Sequence, residues 1–171
     1  MSRLPRVVDT NVPVAADGRA GARPECVLAC VAAIRDLRWK GQLVVDDGWL
    51  IIGEYRNNLA ASGQPGIGSA FLKWVLTNHL NPSVCTRVRI TRKRSVAEDY
   101  DEFPDDPDLA AFDPADRKFV AVAAAHPERP PILQAVDTKW WGWKDALARN
   151  GVEVLFLCPD EIEERYRHAR V

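Results

Sequence analysis

Four carboxylates stand where a divalent cation could use them: Asp9 in RVVDTN, Glu54 in WLIIGEYRNNL, Asp116 in PADRKF and Asp137 in ILQAVDTKWW. Mg²⁺ and Mn²⁺ take oxygen ligands, and Mg²⁺ keeps several waters, which leaves positions for phosphate oxygens. A cation so held polarises a phosphate, activates a water as nucleophile and neutralises the leaving oxygen. Each acid also has a plain structural use. Asp9 and Asp137 follow apolar runs and precede helical segments, the place of an N-cap. Asp116 falls in the first turn after Asp113 and Pro114, where it suits the helix dipole. Glu54 is harder to dismiss, because it sits inside an apolar helix and a carboxylate near a core must be paired or bound. Gathered at one end of a sheet, four such groups repel one another, and a divalent cation resolves the conflict.

The elements that must position these acids are legible as short apolar runs alternating with helical patterns. Residues 6–9, 43–46, 86–91, 132–137 and 152–158 read as strands from their length and β-branched content. Helical patterns cover 25–39, 46–60, 70–80, 114–125 and 141–151, the last stopped by Asn150-Gly151. Such alternation predicts an α/β, three-layer α/β/α sandwich around a five-stranded, mainly parallel sheet, in a single domain over 1–171. Three of the strands end in Asp9, Asp46 and Asp137, and ligands of open parallel sheets gather at the carboxyl ends where strand order reverses. SGQPG at 62–66 separates two helices. The acidic, proline-bearing stretch 91–112 reads as a long, mobile surface loop.

The formal net charge of −1 gives no global basic field, so any polyanion must be met by a local patch. TRVRITRKRS provides one, with Arg92, Lys93 and Arg94 just past a strand end, where they either hold a phosphate backbone or pair with the acidic loop that follows. Arg117 and Lys118, directly after Asp116, are further phosphate contacts. Trp140, Trp141 and Trp143 suit core or dimer packing better than base stacking. Of the four cysteines, Cys26, Cys30, Cys85 and Cys158, none has partners at zinc-like spacing, and all are expected as reduced, mostly buried thiols of a cytoplasmic protein. His79, His126 and His168 form no catalytic pattern. MSRLPRVVDTN lacks an apolar h-region, so no secretory leader is expected, and no run is long enough to cross a membrane.

Taken in order, RVVDTNV, IIGEYRNNL, PADRKFVAVAAA and ILQAVDTKWW resemble the four motifs of the PIN-domain nucleases, across essentially the whole chain. The resemblance implies strand order 3-2-1-4-5 and phosphodiester cleavage with Mg²⁺ or Mn²⁺. Asp9, Glu54, Asp116 and Asp137 are then the catalytic, metal-binding acids, and Asn11 the supporting polar residue. It further implies an RNA substrate, frequent homodimers and, for members of the VapC toxin type, an antitoxin partner. Lys139 departs from the pattern, since many relatives carry another acid there. A cation at that position would meet Asp137 or a phosphate oxygen and discourage a second metal. The alternative readings are a structure-specific DNA nuclease using the same acids, and a decayed nucleic-acid-binding scaffold. A phosphatase would need an acid where Asn11 stands.

Overall fold

The computed structural model describes residues 2–59 and 66–170. The break expected at 62–66 lies, Gly66 apart, outside the described residues. The strands are β1 (Leu4–Val8), β2 (Gly41–Asp46), β3 (Cys85–Val88), β4 (Ile132–Gln134) and β5 (Val154–Phe156). Every pairing is parallel and the order is β3-β2-β1-β4-β5, so the sheet reverses direction at β1. Among the described residues seven α-helices connect and flank the strands: α1 (Asn11–Ala16), α2 (Pro24–Lys40), α3 (Leu50–Leu59), α4 (Ile67–Asn78), α5 (Arg117–Ala125), α6 (Thr138–Arg149) and α7 (Pro159–Ala169). With right-handed crossovers, the reversal at β1 sends α1–α4 to one face and α5 and α6 to the other. Val7, Val8, Leu43, Val44, Val45 and Ile132 are fully excluded from solvent between these layers.

Local sequence explains how closely the layers are joined. α2 passes into β2 with no intervening loop because its cap is Gly41. A Cβ there would stand 2.8 Å from the Leu37 Cα, inside any tolerable contact. At the end of α6, Gly151 takes φ +75°, the left-handed conformation that closes a helix and that side chains resist.

Two expectations are corrected. The stretch 91–112 is not a detached loop. An antiparallel bridge joins Arg92 to Tyr100, and Tyr100, Phe103, Leu109 and Phe112 are buried in the core. Phe112 meets Trp140 edge-on at 5.1 Å, which also accounts for that tryptophan's burial beneath α6. Arg149 anchors the far end of the stretch through Asp106 and Asp108 at 2.8 and 2.7 Å. The cysteines are not all reduced: Cys26 in α2 and Cys158 before α7 form a disulfide with a Cα separation of 5.3 Å. Cys30 and Cys85 are buried free thiols, as expected. No described helix is long and apolar enough to cross a membrane.

Candidate functional site

β1 is the strand at which the order reverses, and Asp9 is the first residue past its end. The chain must bridge outward there in both directions, which opens a crevice between the ends of β1 and β4. Backbone bonds close its floor: Asp9 N–H donates to Leu133 O at 3.1 Å, and Val7 N–H to Pro131 O at 3.1 Å. Asn11 closes the rim, its Oδ1 accepting from Val136 N–H at 2.8 Å and tying the start of α1 to the segment after β4. Tyr55 OH, from α3, donates to Val8 O at 2.5 Å. Asn11, expected as a supporting residue, is thus a tie between two chain segments. It sets the separation of the two chain segments that carry Asp9 and Asp137.

Asp9 is only 4% exposed and accepts a 2.8 Å bond from Asn11 N–H. Its pKa is raised well above the carboxylate range, first by burial and then by the negative charge of Asp116, with Glu54 and Asp137 adding to it against the Asn11 hydrogen bond. Asp116 reaches the same place from the opposite face. Asp113 caps the turn Pro114–Asp116 by accepting from Ala115 N–H at 3.1 Å, which leaves Asp116 with no capping bond of its own. Burial, then Asp137, Asp113 and Glu54, push Asp116 up to about 7, against the opposing charge of Lys118. The structure thus brings Asp9, Glu54, Asp116 and Asp137 into one electrostatic neighbourhood. Asp46, the other strand-ending acid, is spent as a helix cap, accepting from Leu50 and Ile51 N–H at 2.9 and 2.8 Å.

The four acids differ in what else they do. Asp137 accepts from Lys139 N–H at 3.1 Å and so is both the N-cap of α6 and a neighbour of Asp9. Glu54 is half-buried and paired with the ammonium of Lys118, which also donates to Ala115 O. Lys118 is 9% exposed, and burying an ammonium requires a partner of this kind. Among the described residues the acids do not converge tightly: no three of their oxygens lie within 4.8 Å of one another. The chemistry of the donor set nonetheless suits a hard cation, because Mg²⁺ is commonly held by one or two carboxylates with waters filling the remaining positions.

The basic residues fall into two groups. Lys139 does not pair with Asp137. Its Nζ lies 2.5 Å from Asp113 Oδ2, within reach of the charges of Asp137 and Asp116. Arg117 is committed to structure: it pairs with Asp99 at 3.0 Å, donates to Ala110 O and Phe112 O, and lies 4.8 Å over the Phe103 ring. Lys93 takes the second oxygen of Asp99 at 3.1 Å, so the acidic stretch does answer part of the basic cluster. Arg92 and Arg94 are exposed, with no ion pair among the described residues.

No family model matches the chain, and neither a curated protein nor a solved structure does. Sequence reading missed the pairing of Lys118 with Glu54, although its signal was present. A lysine between Asp116 and the apolar run FVAVAAA falls on the buried side of α5, where it must find a carboxylate.

Proposed function

We propose that this chain is a PIN-like nuclease that hydrolyses RNA with Mg²⁺ or Mn²⁺. The observation that carries the reading is Asp9. It is a buried carboxylate at the switch point of a parallel sheet, with three further acids close enough to raise its pKa. Burying one carboxylate among others is costly, and ligation of a dication turns that cost into affinity. The strand order and the Asn11 tie agree with the family resemblance of the four motifs.

Asp9 and Asp116 are the direct ligands in this reading, since burial and each other's charge raise the pKa of Asp9, and burial and the neighbouring carboxylates raise that of Asp116. When bound, a divalent cation supplies charge neutralisation at the phosphate and a water of lowered pKa. Glu54 and Asp137 add negative charge around Asp9 and would accept from waters of a bound ion. Lys118 neutralises Glu54 and fixes the direction of its carboxylate. Arg92 and Arg94 hold the backbone of the substrate by charge, without reading bases.

The test is cleavage of end-labelled single-stranded RNA, single-stranded DNA and flap DNA with Mn²⁺ and with excess chelator. RNA should be cut only with metal and only by protein retaining Asp116. Undiminished cutting in chelator, or by Asp116→Asn, overturns the assignment. Cutting confined to flap DNA keeps the metal centre and replaces the substrate.

A further inference from the structure

The structure gathers three sulfurs where α2 and α7 begin. Cys26 and Cys30 are one turn apart on α2, and Cys158 directly precedes α7. The three Sγ atoms lie within 4.8 Å of one another, and all three residues are buried. Among the described residues this is the group of potential metal ligands that converges. It shares no residue with the acidic site and does not depend on the nuclease reading.

We propose that, when the Cys26–Cys158 bond is reduced, Cys26, Cys30 and Cys158 form a three-thiolate site for a soft divalent cation such as Zn²⁺, which the disulfide closes. Thiolates select soft and borderline cations, and Zn–S bonds of about 2.3 Å place tetrahedral sulfurs about 4 Å apart. Cys30 Sγ already lies within 4.8 Å of both partners, and once reduced Cys26 and Cys158 need only part from bonding distance to reach that value. A fourth position is open to solvent, because a surface cavity of about 320 Å³, lined by Arg23, Cys26, Cys158 and Glu161, lies against the two outer sulfurs. Glu161 supplies the charge environment. It is 6% exposed, and its carboxylate accepts from Arg23 N–H at 3.1 Å and from Arg165 at 2.6 Å. A buried negative charge beside the sulfurs disfavours bare thiolates and favours a cation among them.

The gate is a balanced two-electron step. The Cys26 and Cys158 thiols lose two electrons and two protons to a small-molecule disulfide, which leaves as two thiols. A phosphine and one water reverse it, giving phosphine oxide and two protein thiols. Oxidation removes two of the three ligands and leaves Cys30 alone beside a disulfide.

The whole chain is reduced with a phosphine and titrated anaerobically with Cd²⁺, following the thiolate-to-cadmium charge-transfer absorbance. That band reports sulfur ligation only, so Cd²⁺ at the acidic site is silent. The reduced chain should show saturation at one equivalent, with Zn²⁺ competing, and the oxidised chain should show no band. Cys30→Ser should retain the disulfide by mass and the cooperative unfolding of the parent, yet weaken Cd²⁺ affinity, read from the midpoint of the band, by about tenfold or more, since even outer groups of metal sites are worth that much. Cys85→Ser should titrate as the parent does. Absence of the band in the reduced chain overturns the proposal, as does a Cys30→Ser or oxidised chain that titrates like the parent. A chain that keeps both thiols under the small-molecule disulfide overturns the gate.

Discussion

Replacing Asp116 by Asn should stabilise the metal-free protein at alkaline pH while abolishing its activity. The folded chain holds the Asp116 proton up to about 7, whereas the unfolded chain releases it near the ordinary 3.8. Between those values the folded state binds the additional proton. The contribution of this group is therefore fully present below about pH 4 and lost progressively as pH rises through about 7. At about 1.4 kcal/mol per pH unit, ionising Asp116 across that window costs at most about 4 kcal/mol, and local relaxation and hydration bring the expected effect to about 2 kcal/mol. Asparagine keeps the shape and removes the charge, and by relieving Asp9 it lowers the pKa of that acid as well. Urea unfolding followed by tryptophan fluorescence in chelator, at about pH 4, 6 and 8, measures the difference between the two proteins. It should be near zero at the lowest pH and about 2 kcal/mol in favour of the variant at the highest. A variant equally stable or less stable at the highest pH refutes the mutual repulsion of these acids.

Three further outcomes follow from the same structure. Lys118→Met leaves Glu54 without its partner, so metal-free stability at neutral pH should fall by about 2 kcal/mol, and added Mn²⁺ should recover more of it than in the parent, as unfolding with and without Mn²⁺ will show. Asp99→Ala removes the clasp that holds Lys93 and the 12%-exposed Arg117, and should cost about 2–3 kcal/mol by urea unfolding without changing the metal concentration at which cleavage is half-maximal. Arg92→Ser with Arg94→Ser should weaken RNA binding across all sequences and flatten its salt dependence by roughly one charge for each residue, measured by fluorescence anisotropy from low to high salt.

What was legible in the sequence was the period of its apolar runs. β-branched pairs such as Val44 and Val45 mark strands, and the five strands were located, though those at 86–91, 132–137 and 152–158 were read two or three residues too long at their carboxyl ends. Asp9 and Asp137 lie past the ends of β1 and β4, Asp9 still tied to the sheet by its N–H to Leu133 O, because the chain turns away there to enter α1 and α6. α1 was missed because its six residues, NVPVAA, carry a proline and no helical period. α7 was missed because six of the eleven residues of PDEIEERYRHA are charged, with Ile162 as its fully buried apolar residue. The disulfide went with it, since Cys158 acquires its partner only once α7 docks beside α2. The stretch 91–112 misled by composition. Its acids dominate the count, but Tyr100, Phe103, Leu109 and Phe112 decide where it packs. The fate of Lys139 could not be read either, because Asp113 approaches it through space from 26 residues away, while Asp137 adjoins it in sequence.

The central claim is that Asp9 and Asp116 together hold a divalent cation. Calorimetric titration of Mn²⁺ at about pH 6, repeated in buffers of differing ionisation enthalpy, tests it most directly because it counts protons as well as ions. Asp116 retains its proton there without metal and the Asp9 pKa is raised beside it, so binding to the parent should release protons. Asp9→Asn and Asp116→Asn should each lose most of the binding and most of the release. Mn²⁺ binding that displaces no protons, or that survives unchanged in both variants, would contradict the account.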